Sequence, residues 1–268
     1  LEDTMEGIMK GATDAAMVQK FGGGTGFALS KLRPRGTNIA STHGRACGPI
    51  EVLKTLSRVS SMITQGGKRD GANMAILDVH HPDILEFISC KSVEGEIHNF
   101  NISVGVDNVF MQAVAAGVHY PLIDPHTHEV VGEHDARMVF DTIIEGAWKN
   151  GEPGMVFLDR INRDNKVKEQ YGDMIATNPC GEQPLLGNES CNLGSINLAQ
   201  FYRPIESMFY TNWKDALDWK ELASVVKLST RFLDNVIDAN YYATTEIEQM
   251  TKSTRKIGLG VMGFADFL

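Results

Sequence analysis

From Ala136 to Leu158 the chain reads Ala136-Arg137-Met138-Val139-Phe140-Asp141-Thr142-Ile143-Ile144-Glu145-Gly146-Ala147-Trp148-Lys149-Asn150-Gly151-Glu152-Pro153-Gly154-Met155-Val156-Phe157-Leu158. Met138, Val139, Ile143, Ile144, Ala147 and Trp148 recur at intervals of three and four, the period of one face of an α-helix, so the spacing predicts a helix over Ala136 to Lys149. Gly151 and Pro153 break that period, and the apolar run Met155 to Leu158 reads as a short buried strand. The same alternation runs upstream. Met5, Ile8, Met9, Ala12, Ala16 and Met17 predict an amphipathic helix from Asp3 through Lys20, stopped by Gly22-Gly23-Gly24 and followed by a loop. Val52, Leu53, Leu56, Val59 and Ile63 predict a second over Ile50 to Thr64. Met74 to Val79 reads as a strand, His81-Pro82-Asp83 opens a brief helix through Phe87, Asn99 to Val104 alternates as a strand does, and Asp107 to Ala116 is helical. Trp219 to Ala239 gives the longest predicted helix. Strand and helix in alternation imply an α/β fold with a largely parallel sheet and functional groups on loops at strand ends; the pattern leaves open sheet and barrel both available.

Composition narrows the class of function. The 268 residues are 43% hydrophobic and 22% charged, which excludes disorder, collagen-like structure and low complexity as descriptions of the whole. A net charge of −9 argues against a broad basic footprint for nucleic acid or an anionic membrane. No apolar run approaches the roughly 20 residues of a membrane span, and Leu1-Glu2-Asp3 lacks the features of a secretory leader. A cytoplasmic protein is the expectation. Leu1 in place of Met, and the apolar run Val261 to Leu268 at the other end, suggest a piece of a longer chain. The four cysteines, Cys47, Cys90, Cys180 and Cys191, are too few and scattered for a disulfide scaffold or a zinc knuckle.

The densest chemistry is Thr177-Asn178-Pro179-Cys180-Gly181-Glu182-Gln183-Pro184. Proline biases its predecessor away from helix, so Asn178 and Gln183 are expected to be extended, which would place Asn178, Cys180 and Glu182 on one face. An amide, a thiol and a carboxylate converging on one point make a poor core and a plausible site; the bland alternative is a polar turn around an inert buried thiol. Cys191 lies in a second non-helical segment, Glu189-Ser190-Cys191-Asn192-Leu193-Gly194-Ser195-Ile196-Asn197-Leu198.

These two segments together resemble the catalytic large chain of the ribonucleotide reductases, in the wording of the adenosylcobalamin-dependent class. The resemblance extends through Gly22 to Phe27, Lys31-Leu32-Arg33-Pro34-Arg35-Gly36, Gln65 to Ala72 and Gly258 to Gly263, nearly the whole chain. It implies one partial catalytic domain over residues 1–268, the N-terminal half of a ten-stranded α/β barrel. It also implies roles. Cys180 would be the transient thiyl radical, Glu182 the base for the 3′-hydroxyl, and Asn178 a hydrogen-bond partner of the ribose. Cys191 would be one half of a reducing dithiol whose partner stands upstream of Leu1, which leaves Cys47 and Cys90 as structural, buried thiols. Gly24 would let the substrate approach the backbone. Asp3 and Arg33 match an effector-nucleotide site, and Gln65, Lys68 and Arg69 a loop that relays effector identity to substrate choice. Leu186-Gly187-Asn188 departs from the Pro-Tyr pair common in relatives.

The resemblance further implies a ribonucleotide substrate, dNTP or ATP effectors, adenosylcobalamin bound mostly by segments outside this chain, a thioredoxin- or glutaredoxin-type reductant, and a homodimer built partly on residues 1–20. Two alternatives stand beside it: a class whose radical comes from a metal-containing partner subunit, and a nucleotide-binding regulatory module without catalysis. No metal site is expected, since His126-Thr127-His128 with Asp124 and Glu129, and His80-His81 with Asp83, sit in proline-flanked turns. Trp148, Trp213 and Trp219 read as core or helix-packing residues.

Overall fold

A computed structural model of the chain describes residues 1–40, 43–65, 69–92, 95, 97–203 and 212–268. Four strands organise the first half: β1 (Thr25–Ala28), β2 (Asn73–Asp78), β3 (Phe100–Val106) and β4 (Gly154–Phe157). They pair in that order and every pairing is parallel. Each new strand therefore adds to the same edge, the winding of a barrel wall; a doubly wound sheet would reverse its order part-way.

Among the described residues, the helices packed on one side of these strands are α1 (Met5–Lys20), α2 (Pro49–Ser60), α3 (Ile84–Ser89), α4 (Asn108–Ala116) and α5 (Ala136–Asn150); the short helices Leu158–Arg163 and Lys168–Tyr171 follow β4. Their starts are written in the sequence. Thr4 Oγ1 accepts the Gly7 N–H, Asp107 Oδ1 that of Phe110, and Asp135 Oδ1 that of Met138, each satisfying a donor the first turn leaves open. Gly117 and Gly151 end α4 and α5 in the left-handed region. One core joins these helices to one face of the sheet: Phe27, Ala75, Leu77, Ile102 and Val104 pack with Leu53 and Leu56 of α2, Phe87 of α3, Phe110 of α4 and Val139 of α5. Each such buried side chain contributes about 1.5–3 kcal/mol.

Three local expectations change. The segment after Gly24 is a strand, not a loop, because Thr25 to Ala28 pairs with Asn73 to Ile76. The second helix stops at Ser60, because Thr64–Gln65 turns back to pair with Arg69–Asp70. Trp148 is 87% exposed on α5 and packs in no core.

Residues 1–187 and 188–268 form two compact units. In the second, β5 (Asn192–Asn197) runs parallel to β6 (Ile257–Met262), connected through α6 (Trp219–Ala239) and α7 (Thr245–Thr254). Ile196, Phe201, Leu217 and Phe267 form its core with Leu222 and Val225 of α6. Trp213 meets Phe264 and Phe267 edge-on there. Arg255, just past α7, bonds Asp234 at 2.8 Å and Asp238 at 2.9 Å on α6, fixing the return into β6. Among the described residues no helix is long and apolar enough to cross a membrane.

Candidate active site

The finger segment is a hairpin. Ala176–Thr177 pairs antiparallel with Pro184–Leu185, so residues 178–183 form the loop between them. The extended run expected from the two prolines is absent for a local reason. Pro179 occupies the second position of a turn, Gly181 N–H donates to the Asn178 carbonyl at 3.1 Å, and Gly181 supplies a left-handed φ of +85°. Proline's fixed φ serves that turn as readily as it serves a strand. Asn178 then closes the loop twice: its N–H donates to the Gln183 carbonyl at 3.1 Å, and its Oδ1 accepts the Gln183 N–H at 3.0 Å. Its side-chain donor end, Nδ2, takes no part in that closure.

The hairpin lies on the face of the sheet away from α1 to α5, where Leu158 and Ile161 of the short helix after β4 also pack. That face carries Gly24, Gly26, Met74, Ile76, Asn101, Ser103, Gly105, Gly154 and Val156, placed in register across the four strands. A Cβ at Gly26 would collide with the Thr177 carbonyl oxygen, and one at Gly24 would stand 2.6 Å from Pro179 Cγ. These glycines admit the hairpin's own backbone. The room at Gly24, expected to serve the substrate, is taken by Pro179. Asn101 Nδ2 donates to the Pro179 carbonyl at 2.7 Å.

Thr177 and Pro179 are thereby buried, Asn178 is half-buried, and Cys180 and Glu182 are exposed. Cys180 is thus no inert core thiol. It lines an open cleft of about 460 Å³ with Gly181, Met74, Asn101, Ser103 and Glu152. The cleft stands over the N-terminal parts of the strands. One wall is braced by Glu152, whose Oε1 accepts from Lys91 Nζ at 2.6 Å and whose Oε2 accepts the Ile102 N–H at 2.9 Å. Lys91 Nζ also donates to the Phe100 carbonyl. Asn101, Ser103, Gly26 and Glu152 were not singled out by the sequence. The signal for two of them was there: Asn101, Ser103 and Gly105 alternate with the apolar Ile102, Val104 and Val106.

The other thiols differ. Cys191 belongs to the second unit, directly before β5, and is half-buried; burial pushes its thiol pKa up, partly opposed by Lys256. Beside it in sequence, Glu189 accepts from Lys256 Nζ at 2.6 Å. Cys90 is pushed up to about 12, chiefly by burial, as expected of an inert structural thiol. Cys47 is exposed, so the expectation that it is a buried thiol fails.

Asp3 and Arg33 are brought together. Arg33 Nε donates to Asp3 Oδ2 at 2.6 Å and the Arg33 N–H to Asp3 Oδ1 at 3.2 Å, at the start of α1. Of the relay loop, Gln65 pairs with Arg69 across a two-residue ladder. Lys68, and the side chains of Gln65 and Arg69, lie outside the described residues. The histidine clusters have backbone duties. His81 accepts the Asp83 N–H at Nδ1 and meets the Leu32 carbonyl with Nε2, and Asp124 Oδ1 accepts the N–H groups of His126 and Thr127 within a hairpin turn.

Comparison with known proteins gives this geometry a lineage. The chain is 47% identical over 267 residues to the vitamin B12-dependent ribonucleoside-diphosphate reductase of Thermoplasma acidophilum, covering 99% of this chain and 34% of that protein. It is 44% identical to the enzyme of the same name from Mycobacterium tuberculosis, over all of this chain and 37% of the relative. The alpha subunit of the ribonucleoside-diphosphate reductase of Chlamydia trachomatis is 30% identical, again over all of this chain and 28% of that protein. The chain thus spans about a third of the length of the curated relatives it matches. Residues 1–268 match the family described as ribonucleotide reductase, barrel domain, and the chain belongs to that family.

Proposed function

We propose that this chain is the radical-bearing part of an adenosylcobalamin-dependent ribonucleotide reductase, with Cys180 as its reactive thiol. One observation carries the reading: Cys180 stands exposed over a cleft, at the tip of a hairpin whose flanks are buried against a glycine-lined sheet. A hydrogen-atom transfer needs a thiol that is accessible yet fixed, and this arrangement supplies both.

The substrate is a ribonucleoside diphosphate or triphosphate. Cys180, as thiyl, takes the hydrogen atom from C3′ and becomes a thiol. Glu182 accepts the 3′-hydroxyl proton as the 2′-hydroxyl leaves as water. Cys191 and a partner thiol outside this chain supply two electrons and two protons, one to the departing water and one to C2′, and close to a disulfide; Glu182 then returns its proton to the 3′-oxygen and Cys180 its hydrogen atom to C3′. Asn178 offers Nδ2 to the ribose. A thioredoxin- or glutaredoxin-type protein reopens the disulfide.

Adenosylcobalamin supplies the initiating radical when bound. The exposure of Cys180 on an open cleft fits such a group, because Sγ can be reached from outside the sheet. Gly181 and Asn101 form the rim it would approach, and we assign the corrin-holding residues to other parts of the reductase. The names of the relatives at 47% and 44% identity support this class over one fed by a metal-containing subunit. Effector nucleotides bind at Asp3 and Arg33, where phosphate would replace Asp3 as the partner of Arg33. Gln65, Lys68 and Arg69 carry that signal toward the substrate. A homodimer through α1 agrees with the exposed Met5, Met9 and Met17 along it. Residues 1–268 are then the N-terminal half of a ten-stranded α/β barrel.

The test is Cys180→Ala in the full-length reductase. Deoxynucleotide formation falls to background while effector binding persists. Turnover above background in that variant would remove Cys180 from the chemistry.

A further inference from the structure

We propose that Asn101 is a positioning residue for Cys180, holding the peptide that leads into the reactive cysteine; this rests on the reading of Cys180 as the reactive thiol. One rung of the sheet runs under the hairpin. Gly26, Met74 and Asn101 are paired in register across β1, β2 and β3. Each meets a different part of the finger. Gly26 leaves room for the Thr177 carbonyl, and Met74 and Asn101 line the cleft together with Cys180 and Gly181. Only Asn101 offers a directional bond.

That bond is well placed. The Pro179 carbonyl belongs to the peptide whose nitrogen is that of Cys180, and the peptide is planar. Holding the carbonyl oxygen at 2.7 Å from Asn101 Nδ2 therefore restrains the peptide that contains the Cys180 Cα, and with it the base from which Sγ projects. Among the described residues the other hydrogen bonds of the loop stay within the hairpin: Asn178 with Gln183 twice, Gly181 N–H to the Asn178 carbonyl, and Thr177 Oγ1 to that same carbonyl. They hold the loop's shape only while it stays seated on the sheet, and open together once it lifts. Packing of Pro179 and Thr177 on the glycines limits how near the loop comes without setting its angle. Among the described residues, the Asn101 amide is the hydrogen bond that ties loop 178–183 to the sheet. Asparagine suits the post because a short side chain with two N–H donors reaches a carbonyl above the strand and loses little rotamer freedom. Leucine in its place keeps the branched shape and removes the donor.

The experiment compares wild type with Asn101→Leu, and with Asn101→Ser as a second variant whose hydroxyl is too short to reach, all in the full-length reductase. Two readouts are taken. Amide hydrogen exchange at Gly181 and Gln183, measured without turnover, speeds up by about tenfold in both variants, the loss of one anchoring bond, while exchange in β2 and α2 is unchanged. Deoxynucleotide formation loses about fivefold to thirtyfold in kcat with KM for the nucleotide held within about twofold. A raised KM with unchanged exchange would overturn the proposal and make Asn101 a substrate contact. Unchanged exchange and unchanged kcat would overturn it as well. Should wild type itself lack reductase activity, the function falls, and the exchange measurement alone decides whether Asn101 anchors the loop.

Discussion

The two faces of the four-stranded sheet are made of the same strands and do different work. Toward the helices stand Phe27, Ala75, Leu77, Phe100, Ile102 and Val104, all but the first at most 1% exposed. Toward the hairpin stand Gly26, Asn101, Ser103 and Gly105, with little apolar surface to bury, beside a smaller apolar patch of Met74, Ile76 and Val156. In β3 the switch occurs at every residue: Phe100, Ile102 and Val104 feed the core while Asn101 and Ser103 line the cleft. The lesson is that stability and site are separated by the pleat, a division a two-residue period provides without any extra structure. Mutations on one face should read out in denaturation, and on the other in turnover.

The largest expected effect comes from breaking the helix-side face. Phe100 is fully buried, with its ring centroid 5.8 Å from that of Phe27. Phe100→Ala leaves a cavity and costs about 3–5 kcal/mol in denaturant titration. The folded fraction keeps the wild-type kcat. A kcat that drops with the stability would show that the two faces are not independent.

Next comes the opposite face. Gly26→Ala puts a Cβ onto the Thr177 carbonyl oxygen, a backbone atom that cannot swing aside as a flexible side chain could. Overpacking of this kind costs about 1–3 kcal/mol, less than the cavity on the other side. Turnover of the full-length enzyme nevertheless falls by at least about tenfold, because a finger displaced by an ångström misplaces the thiol. Retained turnover with a wild-type melting temperature would mean that the hairpin does not need this close seat.

The same division explains what the sequence makes legible. Strand β3 and helix α2 show their periods because one side of each is apolar and buried, whereas α1 shows its period through Met5, Met9 and Met17, which lie exposed. Strand β1 does not: Thr25-Gly26-Phe27-Ala28 carries one large apolar residue, and its glycine is dictated by Thr177 on the neighbouring hairpin, a contact between residues far apart in sequence. The hairpin itself has two-residue strands, too short for any period, and its prolines suit an extended run and a turn equally. Asn178, Cys180, Glu182 and Cys191 stand out as chemistry, but their roles came from resemblance to a family and not from spacing. Asn101 is exposed, as a polar residue alternating along a strand ordinarily is, and only its bond to the Pro179 carbonyl sets it apart.

The smallest effect tests the far end of the sheet, past β2, where His80 sits away from the cleft. Burial alone would lower its pKa. Hydrogen bonds from its ring to Asp107 Oδ2 at 3.3 Å and the Pro121 carbonyl at 2.8 Å, with the Asp78 and Asp107 charges, outweigh that and leave it raised. A raised histidine binds its proton more tightly when folded, so its contribution is present in full below the unfolded value of about 6.5 and is lost as pH rises through the folded value. Asp78, raised by burial, acts in the same sense at lower pH, its contribution disappearing as pH rises from the ordinary carboxylate value through the folded one. Melting temperature should therefore fall from about pH 6 to about pH 8 more steeply in wild type than in His80→Gln, with kcat alike in the two at any one pH. Parallel melting curves would remove His80 from the stability of this end. A change in kcat would carry the influence of that end across the sheet to Cys180, against the separation of faces from which the other two predictions start.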